Sequence, residues 1–349
     1  MKSNNLPAGT SNNILIIRLS SIGDILLSTP FIRQVRQKFP EVKIDFVVKD
    51  IYKDLIKYNP HLDNVFSLRL NKDKSELYEL KQTLQERSYQ IVFDLHNNLR
   101  SNYLKRHLKA ALKRSIHKSK IKQSLLVWFK INNYDKEIPI PERYLAVGRD
   151  TGVEDDGNGL EIFWNDDTGQ SAREKARIEK LELDHPFVAL APGAGFFTKR
   201  WPVKKFETLI EIIQQEKKLP IVVFGGKEDN EIGKILSQPD NVINLCGKLS
   251  LLETACLLSK GTALVSNDSG LMHMATAVKT PVVAIFGSTV KELGFFPFRS
   301  RSQVVENSIL SCRPCSHIGR NKCPKGHFKC MEDISVQQVY EEIHQFLRN

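Results

Sequence analysis

The sequence predicts an α/β protein of two domains, each a mainly parallel sheet layered with helices. Three observations lead there. Short aliphatic and β-branched runs alternate with helix-length amphipathic stretches through both halves. Small polar loops containing glycine directly follow several of the strand runs, where open α/β sheets place ligands. At 349 residues the chain exceeds one ordinary domain. The Gly- and Asp-rich tract at 150–170 is the best linker between the two.

Apolar residues make up 41% of the chain, enough for real cores. No uninterrupted apolar run approaches the ~20 residues of a membrane span. The first dozen residues are polar and have no apolar signal core, so they read as a disordered leader on a cytosolic protein. The formal charge of +11 is uneven. Residues 95–134 hold ten Lys or Arg and no Asp or Glu, whereas Glu154, Asp155, Asp156, Glu161 and Asp166 make the following stretch acidic. Such a basic run fits a polyanionic partner, whether nucleic acid, anionic membrane or phosphorylated lipid; it also fits a solvated helix face.

In chain order, 13–19 (NILIIRL) is a buried strand, and Ser20-Ser21-Ile22-Gly23-Asp24 is the loop after it. A helix follows over 25–39, with Pro30 marking a kink or an early-turn position. Asp24, beside a glycine at a strand's mouth, fits a general base and equally an N-cap for that helix. Strand 42–48, a helix and strand within 55–70 and helix 74–87 come next, then strand 89–95, which ends in His96-Asn97-Asn98-Leu99-Arg100-Ser101. In the basic run, Leu104, Leu108, Ala111 and Leu112 share one helical face, with Lys105, Lys109 and Lys113 on another. Leu125 to Phe129 adds an apolar patch suited to a membrane interface, or to a core helix with a wet face.

The second half restarts with helix 171–181 and strand 187–190. The small-residue loop Ala191-Pro192-Gly193-Ala194-Gly195 follows, then Thr198-Lys199-Arg200-Trp201 and helix 203–216. Lys199 or Arg200 suits a diphosphate; the pair also reads as a surface pair flanking a buried Trp201. Strand 221–224 ends in Gly225-Gly226-Lys227-Glu228-Asp229, and an acidic residue after such a turn suits ribose hydroxyls. Strand 242–245 and helix 251–259 lead to 262–288, read as strand, loop, helix, strand. There Asp268 and Ser269 are capping residues, Gly270 permits close backbone approach, and Leu271, Met274, Ala275 and Val278 share a helical face. This is a phosphate seat or a plain structural corner. Cys312, Cys315, Cys323 and Cys330, with His317 and His327 interleaved, fit a structural zinc site, reduced structural thiols or disulfides. A last amphipathic helix covers 336–347.

Three stretches, RLSSIGDILLSTPFIRQVRQKFP, APGAGFFTKRWP and SNDSGLMHMATAVKTPVVAIFGS, occur in that order. Together they resemble the ADP-heptose:lipopolysaccharide heptosyltransferases, glycosyltransferase family nine, over nearly the whole chain. The resemblance implies a GT-B architecture: two Rossmann-like domains, at 1–165 and 166–332, facing a central cleft, and a C-terminal helix within 333–349 crossing back to the first. It implies that the first domain takes the acceptor and the second the nucleotide-sugar. By position in the motifs, Asp24 matches the catalytic base, Lys199 the lysine at the donor phosphates and Asp268 the aspartate facing the donor sugar. Ser269 and Gly270 match the diphosphate loop, His273 the same wall, and Glu228 an acidic residue near the ribose.

The expected reaction is inverting transfer of heptose from ADP-heptose to the Kdo- or heptose-terminated inner core of lipopolysaccharide. It would occur at the inner face of the cytoplasmic membrane, as a peripheral interaction with an anionic surface. Arg100 and Lys105 become acceptor-binding candidates. No cofactor is required for catalysis on this reading; no DxD-type metal motif stands at the donor site, and any zinc in the tail is structural. The alternatives are a transferase of another nucleotide sugar or a GT-B-like sugar-nucleotide epimerase. Nucleic-acid binding is disfavoured by the few aromatics in the basic run. A nicotinamide oxidoreductase is disfavoured because neither glycine loop completes GxGxxG.

Overall fold

The structure, a computed structural model, describes residues 13–69, 75–134 and 136–348. The expected leader and the expected element limits at Leu70 and Lys74 lie outside these. Two units emerge, one from residues up to Lys118 together with Ile140–Phe163, the other from Ser119–Pro139 and from Trp164 onward. The excursion of Ser119–Pro139 into the second unit has no counterpart in the sequence reading, which drew one boundary after residue 165.

The first unit is built on five strands: β1 (Asn13–Ile17), β2 (Lys43–Lys49), β3 (Asn64–Leu68), β4 (Tyr89–Asp94) and β5 (Ala110–Ser115). Their order is β3-β2-β1-β4-β5, all parallel. β1 lies at the centre, and Ile14, Leu15, Ile16 and Ile17 expose no surface. An unbroken apolar run is what a strand covered on both faces requires. The chain builds outward from β1 to β3, then returns to lay β4 on the other side. That reversal makes the β1/β4 boundary a switch point, where strand exits diverge and leave a crevice.

The single helix expected over 25–39 is two, Ile22–Leu26 and Thr29–Lys38. Pro30 sits in the first turn of the second, where its missing N–H costs nothing. The early-turn alternative is therefore the one realised. Phe31 meets Phe93 edge-on at 5.1 Å, fastening this helix to β4.

The basic run corrects the sequence reading. It forms helix Leu99–His107, edge strand β5, helix Lys120–Ser124 and a π-turn at Leu125–Phe129. Within β5, Ala111 and Lys113 are exposed while Ala110, Leu112 and Arg114 are half-buried. That period-2 alternation competes with the helical spacing of the same residues, and pairing with β4 decides it. An outward lysine on an edge strand also discourages further strand pairing.

The boundary between the units, Phe163 to Trp164, falls within the tract expected as the linker, but the tract is ordered and packed. Val153, Leu160 and Ile162 are buried, and the helix Asp166–Ile178 begins inside it. Arg33 draws the tract onto the first unit, bonding Asp156 at 2.7 and 3.0 Å and Glu161 at 2.6 Å. Two of the acidic residues named in the tract are thus the counter-charge of one buried arginine.

The second unit carries β6 (Val188–Ala191), β7 (Ile221–Val223), β8 (Val242–Asn244), β9 (Ala263–Asn267), β10 (Val282–Phe286) and β11 (Ser302–Glu306). The order is β11-β10-β9-β6-β7-β8, again all parallel, with the reversal between β6 and β9. β11 escaped the sequence reading because SQVVE has only two aliphatics. The final helix, Val336–His344, packs on helix Val203–Lys217 and strands β9, β10 and β11 of this unit. Its buried Val339, Tyr340 and Ile343 complete that core.

Candidate active site

In the first unit the polar residues gather at the β1/β4 switch point. After β1 the chain leaves as Arg18-Leu19-Ser20-Ser21 and enters the helix Ile22–Leu26. Ser21 is the N-cap and Asp24 stands at N3, so Asp24 is not the cap residue itself. The Ser21 N–H and hydroxyl donate to Asp24 Oδ2 at 3.2 and 3.1 Å. Asp24 Oδ1 meets Arg18 Nη2 at 2.6 Å, and a fifth of the aspartate side chain (20%) stays open to an incoming group.

Burial works against the charge on Asp24, but the Arg18 guanidinium and the Ser21 donors outweigh it and hold the carboxyl below its ordinary range. From the β4 side, His96 is pushed down to about 4, by burial first and then by Arg18 and Lys118. At neutral pH the pocket therefore holds an ionised Asp24 beside a neutral imidazole.

In the second unit the corresponding exits are those of β6 and β9. Asn267 ties the two loops together: its Oδ1 accepts from the Trp201 N–H at 3.0 Å and its Nδ2 donates to Pro192 O at 2.7 Å. Next to it, Asp268 Oδ2 meets Lys199 Nζ at 2.7 Å and accepts from Thr289 Oγ1 at 2.6 Å. Lys199 and Arg200 are not a surface pair. Both are half-buried, and Arg200 Nε donates to Ala194 O at 2.8 Å. Ser269 is the N-cap of helix Gly270–Ala277 but makes no side-chain cap bond; its hydroxyl lies 3.3 Å from that of Ser266. The amides of the first turn have no intrahelical acceptor, and they point the positive end of the helix dipole out of the sheet. A lysine and such a helix end, joined through Asp268, form a seat for a phosphate.

The loop after β7 closes against the same place. A Cβ on Gly193 would lie 2.4 Å from the Asp229 carboxyl, so only glycine lets the β6 loop pass so near. Asp229 is buried and accepts from the Gly226 N–H at 3.0 Å. Burial raises its pKa.

A model of the family described as "Glycosyltransferase family 9 (heptosyltransferase)" matches residues 77–325, well over half of the chain. The chain belongs to glycosyltransferase family 9. It is 27% identical to a lipooligosaccharide heptosyltransferase 2 of Haemophilus influenzae, over 96% of this chain and 99% of that one. Among solved structures, a family 9 glycosyl transferase of Veillonella parvula superposes with a TM-score of 0.80 at 22% identity, covering 96% and 97% of the two chains. The ADP-heptose LPS heptosyltransferase II of Escherichia coli superposes with a TM-score of 0.74 at 22% identity, covering 96% and 98%. These likenesses show the GT-B fold expected above.

The structure sorts the other residues that the family resemblance pointed to. Glu228 is exposed, and its neighbour Asp229 is the acid turned into the glycosyltransferase's β6/β7 loop cluster. His273 is 3% exposed, within a helix buried nearly all round. Arg100 is exposed on helix Leu99–His107. Lys105 instead turns inward, bonding Asp94 Oδ2 at 3.1 Å and the Ser115 hydroxyl.

Cys312, Cys315, Cys323 and Cys330 line one cavity of about 420 Å³ with His327 and Lys130. They are free thiols, and Cys330 is pushed up to about 12, chiefly by burial. Among the described residues no three His, Cys, Asp or Glu stand close enough together to hold a metal in this arrangement. Sequence reasoning passed over Arg18, Tyr144, Asn267 and Thr289, and preferred Glu228 to its neighbour Asp229. Arg18 carried a signal, as the one charged residue in the strand run NILIIRL.

Proposed function

We propose that this glycosyltransferase moves heptose from ADP-heptose to the inner core of lipopolysaccharide, with inversion at the anomeric carbon and no metal at the donor diphosphate. Its likeness to lipooligosaccharide and lipopolysaccharide heptosyltransferases supports the substrate class. The observation that carries the reading is the Lys199–Asp268 pair against the uncapped N-terminus of helix Gly270–Ala277.

In one displacement, the acceptor oxygen bonds to the anomeric carbon as the bond from that carbon to the diphosphate oxygen breaks. The hydroxyl proton passes to Asp24. The charge developing on the leaving ADP is met by Lys199 and the amides of Ser269 and Gly270, groups set before the reaction starts. Asp268 faces the donor sugar, and Asp229 takes the ribose hydroxyls in place of Glu228. Asp24's low pKa costs basic strength but keeps it ionised. A weak base suffices because the hydroxyl becomes acidic only as it attacks. We expect Lys199→Met to lower kcat by about 10²–10³-fold and to weaken ADP binding, read by steady-state kinetics and calorimetry.

The acceptor is anionic and membrane-borne, which gives the basic run a role. Arg100 and Lys105 are its acceptor-binding residues on this reading. Ile121, Trp128 and Phe129 are 78%, 70% and 69% exposed, beside Lys118, Lys120 and Lys122. Apolar side chains set among cations suit the headgroup layer of the inner face of the cytoplasmic membrane. Sedimentation with anionic vesicles is expected to fall as salt rises, and Trp128→Ser with Phe129→Ser to weaken it further.

The test of the function is transfer from ADP-heptose to a Kdo-terminated and a heptose-terminated core, with and without EDTA. Transfer to one of them that survives EDTA supports the reading. Donor turnover without any acceptor favours the epimerase alternative instead.

A further inference from the structure

Arg18 is fixed from three sides. It leaves the end of β1, its Nη1 donates to Leu95 O at 2.6 Å just past the end of β4, and its guanidinium lies 5.5 Å from the centre of the Tyr144 ring. Tyr144 comes from helix Ile140–Gly148. The remaining arm, Nη2, reaches Asp24 Oδ1 at 2.6 Å. The other buried carboxylate nearby, Asp94, is already engaged by Lys105, the Ser101 hydroxyl and the N–H groups of His96 and Asn97. Arg18 therefore bonds one carboxylate while bridging the two strand exits of the switch point.

We infer that Arg18 is the positioning residue for the base: a planar fork that spans β1 and β4 and fixes the Asp24 carboxylate in one orientation toward the acceptor hydroxyl. This rests on reading Asp24 as the base. A lysine cannot do the same, because an ammonium offers no rigid pair of donors to hold a carbonyl and a carboxylate at once. The charge matters as well as the shape. Asp24 faces Arg18 and Ser21 from its own loop, Tyr52 from the turn Asp50–Tyr52, Tyr144 from helix Ile140–Gly148, and His96 from just past the end of β4. The tyrosines are neutral, since burial raises both. His96 is neutral as well. Among the described residues that face Asp24, none supplies a cation once Arg18 is gone, and burial then favours the protonated acid.

The experiment compares Arg18→Met and Arg18→Lys in the full chain, with folding checked by circular dichroism. It reads the Asp24 titration by carboxyl ¹³C NMR, the pH profile of kcat/KM, and ADP affinity. In Arg18→Met the Asp24 titration is expected to rise by about one pH unit or more, with the acid limb of kcat/KM following it. The plateau should fall about 10²-fold through lost alignment, while ADP affinity stays at the wild-type value. Arg18→Lys should keep the titration near wild type yet lose plateau rate. An unmoved titration and limb in Arg18→Met overturns the inference. So does an Arg18→Lys enzyme at full rate, which decides the matter should Arg18→Met fail to fold. Absence of transfer in the wild type defeats the proposed function instead, and the NMR titration then judges the hold of Arg18 on Asp24 by itself.

Discussion

Asp24→Asn lowers kcat by about 10²–10⁴-fold, the range of a lost general base, and leaves ADP affinity unchanged. The two halves of this expectation come from different parts of the molecule. The carboxylate belongs to the β1 exit, where it is bonded by Ser21 and Arg18, whereas the donor groups Lys199 and Asp268 belong to the β6 and β9 exits. Asparagine keeps the shape and one acceptor oxygen, so the turn into helix Ile22–Leu26 survives while the proton acceptor is lost. It also leaves the Arg18 guanidinium, 9% exposed at its side chain, without a counter-charge. A melting curve measured alongside the kinetics separates the two effects. An undiminished kcat would leave Asp24 as the N3 residue of a capping box and nothing more.

Arg33→Met destabilises the protein by about 3 kcal/mol, the cost of stripping a largely buried pair of one partner. Arg33 is 10% exposed at its side chain, and Asp156 and Glu161 are 14% and 18% exposed. Methionine fills similar space but abandons both carboxylates and the bond to Gly159 O. The acidic tract is fastened to the first unit through this arginine, so the loss is expected in the cooperative unfolding transition. The pH dependence gives a second reading. Burial raises the pKa of Asp156, but the Arg33 hydrogen bonds outweigh it and hold the carboxyl well below the usual range. A depressed acid stabilises the fold above its unfolded pKa, about 3.9, and that contribution fades as pH falls from there through the folded value. Urea unfolding should therefore show less acid dependence in the variant than in the wild type.

The scaffold was legible where one local rule decided. NILII, YQIVFD and VVAIF announce fully covered parallel strands because each face of such a strand meets helices. Asp268 stands directly after β9, whereas Asp24 and Lys199 lie further past β1 and β6 and were marked by the motifs around them. Pairings across the chain were not. That Arg18 bridges to Leu95, 77 residues away, follows from β1 and β4 being neighbours, which no local pattern states. Glu228 and Asp229 differ by one position in a three-residue turn, and the close approach of Gly193 decides which acid is drawn in. For residues 110–115 helical spacing and strand alternation compete, and the free edge of β4 settles it. The four cysteines were grouped correctly around one cavity, but their spacing says nothing about where the sulfurs point.

The most direct test of the central claim is the anomeric configuration of the product linkage, read by NMR after transfer from ADP-heptose to the accepted core in the presence of EDTA. The account predicts a linkage opposite in configuration to the donor, because Asp24 takes the proton of a hydroxyl attacking from the face away from ADP. Retained configuration would contradict it, since retention requires a second displacement or a front-face attack that neither Asp24 nor the Lys199 seat provides.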